Sequence, residues 1–227
     1  MDKVYFVSGI DTGIGKTVVT GLMARSLRAA GIDAITVKMV QTGNVGFSED
    51  LDAHRRMCDG ARFPEDDAGL TAPQVFRFPA SPALAARLEG KSVDLARISE
   101  AVEACASAHD VVLVEGAGGL DVPLTDDVLA VDFAAERDWP LGLVTCGRLG
   151  SVNHTLLSLE AARARGMYVA GIAFNWWPDA DAAIEEDAER EIVRRAGAGG
   201  RVPPLVRIPR TRPEGPYPTL DFSEFFA

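Results

Sequence analysis

The chain is short of the residues that staple small folds, cluster metals or grip polyanions. It has three cysteines, Cys58, Cys105 and Cys146, an odd number without CxxC spacing. That excludes a disulfide framework and a zinc ribbon, and leaves small buried hydrophobes in a reducing compartment. The three histidines, His54, His109 and His154, are scattered without HExxH or paired-ligand spacing, so no zinc centre is expected. Positive charge is in the minority, with 23 Lys and Arg against 33 Asp and Glu and a formal net charge of -10. A broad nucleic-acid or anionic-membrane surface is thereby excluded, and any anion site is local. There is no long apolar run to span a bilayer and no charged-then-apolar leader, which points to the cytoplasm. No internal repeat or second domain stands out; 227 residues, 47% hydrophobic and 25% charged, suffice for one domain with a large core.

What is present begins at the N-terminus. Val4, Tyr5, Phe6 and Val7 form an unbroken β-branched and aromatic run, as in a strand buried on both faces of a parallel sheet. It breaks at once into glycines. Gly9, Gly13 and Gly15 let backbone amides approach an anion, and Lys16 opens a helix whose positive end faces the same place. Lys16 offers a mobile charge to β- and γ-phosphates, and the Thr17 hydroxyl offers an oxygen to magnesium. One residue more than in the standard phosphate-loop motif separates Gly9 from Gly15, and Ile10 stands at the usual glycine position. The plainer alternative is a glycine-rich strand-to-helix turn with no ligand; Gly-Lys-Thr after a buried strand favours the phosphate site.

Strand and helix signals then alternate. The first helix ends at Gly31, a C′ glycine, and a strand over 34–38 places Lys38 and then Thr42 at the edge where parallel sheets bind ligands. A polar stretch over 43–50 leads to a short helix starting near Asp52, and residues 60–80, rich in Pro, Asp and Gly, read as a long irregular loop. Ser81, Pro82 and Gly90 punctuate a helix with a hydroxyl N-cap, a proline at N1 and a glycine at C′. A helix over 94–108 precedes a strand over 110–115, so Glu115 sits where a strand empties into Gly116, Ala117, Gly118 and Gly119. Further helices over 126–137, 151–165 and 182–196 alternate with strands over 141–145 and 169–175. The pattern is α/β: a doubly wound, mainly parallel sheet flanked by helices in a single domain, 1–227. A proline-rich segment, 203–227, follows, with a last short strand before Pro209 and with Phe222, Phe225 and Phe226 expected to pack it back on the body.

Seven pieces carry a resemblance: GIDTGIGKT (9–17), KMVQTG (38–43), Asp52-Ala53, SPALAA (81–86), EGAGGLDVPL (115–124), LGSVNHTLL (149–157) and Asn175. In this order they make the chain resemble the dethiobiotin synthetases, ATP-dependent ring-closing ligases of biotin synthesis with a P-loop NTPase fold. The resemblance covers most of the length, and the extra residue in the phosphate loop is characteristic of that family. Met39 departs from it where proline is common, as does Gly13 where some members carry an acidic residue; Trp176 and Trp177 have no assigned place.

The resemblance implies that 7,8-diaminopelargonate, CO2 and MgATP give dethiobiotin, ADP and phosphate through a carbamate and a carbamic-phosphoric anhydride. The substrate amine is then the nucleophile, and catalysis is alignment and charge neutralisation. Lys16, Lys38 and Thr12 are implied as catalytic groups. Gly13, Ile14, Gly15, Lys16, Thr17, Val18, Asn175 and Pro209 are implied for the nucleotide, the Asn175 amide suiting the donor-acceptor edge of adenine. Thr42 and Lys38 are implied for the substrate. So are Gly150, Ser151, Val152 and Asn153, whose helix amides would meet its distant carboxylate from the partner subunit of a homodimer. Thr17, Asp52 and Glu115 are implied as oxygen ligands of Mg2+. Plainer alternatives stay open: Glu115 as a turn cap, Lys38 paired with a surface acid, Asp52 as a helix N-cap and Asn175 as a polar strand end.

The competing class is a nucleotide-switch ATPase of the partition or septum-positioning kind. Its signature lysine position is Asp11 here, and the terminal PTLDFSEFFA is no basic amphipathic helix. No NKxD guanine motif supports a GTPase, and the length leaves no room for the glutaminase domain of cobyrinate diamide synthases.

Overall fold

Four apolar residues in a row give the first strand no face to turn to water, and the chain answers by placing it inside the sheet. In the computed structural model, which describes residues 3–177, 180–198, 201–212 and 214–227, β1 (Val4–Gly9) lies between two later strands. Pro213, in the proline-rich segment, lies outside the described residues. The other elements follow in order: α1 (Lys16–Ala29), β2 (Ala34–Lys38), β3 (Gln41–Thr42), α2 (Glu49–Met57), α3 (Pro64–Asp67), β4 (Val75–Phe76), α4 (Pro82–Leu88) and α5 (Leu95–Ala108). Then come β5 (Val111–Gly119), α6 (Ala130–Ala135), β6 (Leu141–Cys146), α7 (Ser151–Ala164), β7 (Val169–Asn175), α8 (Ala182–Ala196) and β8 (Leu205–Ile208).

The main sheet has six strands in the order β2-β5-β1-β6-β7-β8, paired in parallel throughout. From β1 the chain winds to one side, through β2 and β5, then to the other through β6, β7 and β8, so the C-terminal end of β1 is the switch point where such sheets bind ligands. Every residue of β2, β6 and β7 is buried, in keeping with their near-continuous apolar runs. This is the doubly wound α/β architecture the alternation implies.

Several boundaries differ from the sequence expectation. The helix expected near Asp52 starts earlier, at Glu49, because Ser48 caps it: its Oγ accepts from the Leu51 amide at 3.2 Å and donates to Gln41 Oε1 at 2.6 Å. Residues 60–80 are not structureless. They form α3 and β4, the latter pairing with β3 in a two-stranded parallel sheet, and Arg55 holds Asp66 at 2.6 and 3.0 Å. The Phe63 ring lies beneath the guanidinium groups of both Arg28 and Arg55. The helix expected over 126–137 shrinks to α6 because Thr125 Oγ1 accepts from the Asp127 and Val128 amides and holds that stretch in a turn. Ser81 stands at an N-cap position but its side chain accepts no capping bond.

At the opposite end of the sheet from the switch point, Phe225 fills the space a side chain at Gly171 would need, and Phe226 meets Tyr5 edge-on at 4.7 Å. The two outer strands are guarded. On β2 the Lys38 amide donates to Thr71 O at 2.7 Å, and the four residues of β8 lie between Pro203-Pro204 and Pro209.

The phosphate loop is pinned from below. Asn175, at the end of β7, donates from Nδ2 to the Ile14 carbonyl at 2.8 Å. Gly15 has φ 87° and caps α1, and a Cβ there would overlap Asn175 Nδ2. Gly13 is also left-handed, at φ 73°, but faces open space.

Gly15→Ala is therefore expected to weaken nucleotide binding about tenfold or more by calorimetry, since strain of about 1–3 kcal/mol falls on the loop. Gly13→Asn, a residue that tolerates the left-handed region, should bind close to wild type. A second expectation concerns Asp66. Burial opposes its charge, but Arg55 and the Phe63 and Thr71 donors outweigh this and set its pKa below the ordinary 3.8. A lowered carboxyl pKa stabilises the fold above the unfolded value and ceases to do so as pH falls through the folded one. Asp66→Asn should thus melt below wild type at neutral pH, with the gap closing in acid below about pH 4 in thermal melts.

Candidate active site

Strand register sets the centre of the site. β2 and β5 pair so that Lys38, the last residue of β2, lies beside Glu115, where the apolar run of β5 gives way to Gly116–Gly119 and the strand continues past the end expected at 115. Lys38 Nζ donates to Glu115 Oε1 at 2.8 Å and to the Gly116 carbonyl at 3.1 Å, and meets Asp50 Oδ2 at 2.8 Å. All three ammonium hydrogens are engaged. Thr17 Oγ1, in the first turn of α1, donates to Asp50 Oδ1 at 2.7 Å and lies 3.3 Å from Glu115 Oε1. Glu115 Oε2 is held by His54 Nε2 at 2.8 Å.

The charges are strongly coupled. Burial opposes an ionised Glu115, but Lys38 and His54 overcome it and hold the carboxyl well below the usual range. Burial likewise opposes the Lys38 charge, yet Glu115 and Asp50 raise its pKa above the lysine norm. For Lys16 burial prevails over the pull of Glu115 and draws the pKa down to about 8. Its Nζ donates to the Asp11 carbonyl at 2.7 Å. The Thr12 amide, with help from Arg148, lowers the Asp11 carboxyl pKa, and the Asp11–Arg148 ion pair ties the phosphate loop to the turn before α7.

These groups line one cleft of about 380 Å³, with Thr12, Gly13, Gly15, Lys16 and Thr17 on one wall and Lys38, Val40, Gln41 and Thr42 on another. Glu49 and Asp50 from α2, Glu115, Ala117 and Gly118 from β5, and Trp177 complete it. Asp52 does not belong to it. It is exposed and borders a different depression beside Arg55 and Asp66. Each helical residue turns about 100°, so Asp50 and His54, four apart, share the face that meets β2 and β5, while Asp52 points away. Neither is Asp52 the N-cap, which is Ser48. Asp50 was recoverable from the sequence: Leu51, His54 and Met57-Cys58 repeat at helical spacing, and Ser48 supplies the cap one turn before.

The remaining expected residues lie around this cleft. Ile14 is buried and contributes its carbonyl to Asn175; Val18 is half-buried in α1 against the core. Asn175 is 2% exposed and already donates to the loop, so its position is beneath the phosphates' cradle. Pro209 is exposed just past β8, whose Ile208 pairs with Asn175. Gly150, with φ 90°, caps α7. Ser151 is fully buried and its amide donates to Arg148 O at 3.0 Å, whereas Val152 is half-buried and Asn153 exposed in the first turn. None of these four lines the cleft in this chain. Trp177, unassigned from sequence, flanks the loop beside Gly15.

Thr17, Asp50 and Glu115 offer a hydroxyl and two carboxylates within one cluster, the hard oxygens that Mg2+ prefers. Among the described residues no group of three or more His, Cys, Asp or Glu side chains is placed to hold a metal by itself. Such a set suits a cation shared with substrate phosphates, not a resident all-protein site.

Comparison with known proteins places this architecture. The AAA domain family model matches residues 3–213. An ATP-dependent dethiobiotin synthetase of Pasteurella multocida is 41% identical over 86% of this chain and 91% of its own length. Another, of Chlorobaculum tepidum, is 47% identical over 86% of this chain and 81% of its own. Among solved structures, a ParA family ATPase from Chlorobium tepidum superposes with a TM-score of 0.52 at 19% identity, covering 92% of this chain and 84% of that one. The signal recognition particle receptor FtsY of Elizabethkingia anophelis gives 0.54 at 16% identity, over 99% of this chain and 62% of that one. The two structures share only the fold, whereas the synthetases are 41% and 47% identical over 86% of this chain, and the chain belongs to the ATP-dependent dethiobiotin synthetase family.

Proposed function

We propose that this enzyme carboxylates 7,8-diaminopelargonate with CO2 and closes the ureido ring of dethiobiotin at the expense of ATP. The observation that carries the reading is the convergence of the Gly-Lys-Thr loop, Lys38, Thr42 and the Asp50–Glu115 carboxylates on one cleft at the switch point of the sheet. One substrate amine combines with CO2 to form a carbamate. The carbamate oxygen then attacks the γ-phosphorus, ADP leaves, and the second amine attacks the anhydride carbon, expelling phosphate as the ring closes.

No side-chain nucleophile is needed, and the residues of the cleft supply position and charge. Loop amides and Lys16 hold the β- and γ-phosphates, Thr12 donates to the γ-phosphate, and Thr42 positions the diamine or carbamate. Mg2+, held by Thr17, Asp50 and Glu115, would supply the positive charge that joins the phosphates to those carboxylates. Lys38 is the cation of the cleft outside the phosphate loop, suited to offset the repulsion between carbamate and γ-phosphate. Pro209, exposed just past β8, borders the adenine side, while Asn175 supports the phosphate loop from beneath. A cytoplasmic setting is supported by the three buried cysteines, which form no disulfide. No helix among the described residues is long and apolar enough to cross a membrane.

The acting species is a homodimer in which the first turn of α7 serves the partner's substrate carboxylate. Leu149 and Leu157, 84% and 55% exposed beside that turn, support a protein contact there. Sedimentation velocity is expected to give a dimer; a fully active monomer would refute the shared site.

A switch ATPase of the same fold would hydrolyse ATP in response to a macromolecule. This enzyme should turn over ATP only when diamine and bicarbonate are both present, as judged by mass spectrometry and phosphate release with each omitted in turn. Lys16→Ala should lose at least about a hundredfold in turnover. Lys38→Gln should melt below wild type, because it strips buried Glu115 and Asp50 of their counter-charge, and where folded should form almost no product, because it also removes charge needed where two anions meet.

A further inference from the structure

One buried group that this chemistry leaves unused is His54. Its side chain is fully enclosed, one helical turn beyond Asp50, and both ring nitrogens are engaged. One hydrogen-bond direction follows from its neighbours. The ionised Glu115 carboxylate can only accept, so His54 carries a hydrogen on Nε2 and donates it to Oε2 at 2.8 Å. The other nitrogen, Nδ1, meets Thr36 Oγ1 at 3.1 Å. Arg55 gives Nη1–H to the same Thr36 oxygen at 2.7 Å, while its Nε and Nη2 are anchored on Asp66. A continuous set of hydrogen bonds thus backs His54 where it faces Glu115.

The consequence falls on the other oxygen. With Oε2 held by His54, the Glu115 carboxylate plane is fixed, and Oε1 is the atom turned to Lys38 and Thr17. We propose that His54 is a positioning residue that orients Glu115 toward the divalent cation of the cleft, its own ring held by Thr36 and Arg55. This rests on the assignment of Glu115 as a cation ligand. Outer partners that hold a ligand carboxylate by hydrogen bonds commonly change metal affinity by about 10–100-fold when removed. A histidine serving only to fill the core would instead affect stability alone.

The test is Mn2+ binding in saturating ADP, followed by EPR, for the wild type and four variants, with thermal melts alongside. His54→Leu keeps bulk but removes the donor and should weaken Mn2+ at least about tenfold. His54→Gln can place an amide hydrogen near the Nε2 position and should recover most of that affinity. Thr36→Val, which keeps the ring but removes the hydroxyl that holds it at Nδ1, should shift affinity in the same direction as His54→Leu and carries the test if that variant does not fold. Glu115→Gln is the reference. If Glu115→Gln binds Mn2+ like wild type, the cation assignment fails and the role of His54 with it. If Glu115→Gln is weak while His54→Leu, or Thr36→Val in its place, binds like wild type, only the role of His54 is overturned.

Discussion

An ion pair buried between the end of β2 and the middle of β5 governs the rest of the cleft. Glu115 and Lys38 are each almost wholly withdrawn from water, a situation that is stable only when both charges are paired and their remaining hydrogen-bonding capacity is used. Removing one member of such a pair leaves an uncompensated charge at about 3–5 kcal/mol. The neighbouring elements are arranged around that requirement: α2 brings Asp50 to the ammonium and His54 to the carboxylate, and α1 brings the Thr17 hydroxyl between the acids. Helix placement and site chemistry are one problem here, because α2 could not shift by a residue without stranding a buried charge.

That coupling explains which parts were legible from sequence. β1, β2, β5, β6 and β7 are continuous apolar runs, and strands buried on both faces have few other causes, so their order and the α/β class follow directly. The phosphate loop is similarly local: a strand, three glycines and Gly-Lys-Thr define it without reference to distant residues. Lys38 and Glu115 were visible as charged residues ending apolar strands. Asp50 was legible only through the helical phase of α2, and that phase turns on Ser48, one serine among many polar residues of the preceding stretch. Asp52, which the resemblance implied through Asp52-Ala53, is the exposed carboxylate two positions beyond the one that meets Lys38.

Other misses are tertiary. The short β4 has no pattern of its own and exists because β3 offers it an edge. Asn175 reads as a polar strand end, and its bond to the Ile14 carbonyl depends on a loop 161 positions away in sequence. Trp177 is uninformative until the loop it flanks is in place. The likeness to the ParA and FtsY structures, at 19% and 16% identity, is one of fold alone.

The guarded flanks of the sheet have a consequence for self-association. An open parallel sheet ends in two strands whose outward amides and carbonyls invite another chain to add itself, the route to aggregation. On the β2 side the Thr71 carbonyl already occupies the Lys38 amide, and on the other side β8 offers four residues before proline interrupts the ladder, with Arg207 outward and paired to Glu189. A second molecule therefore gains little by extending the sheet at either rim.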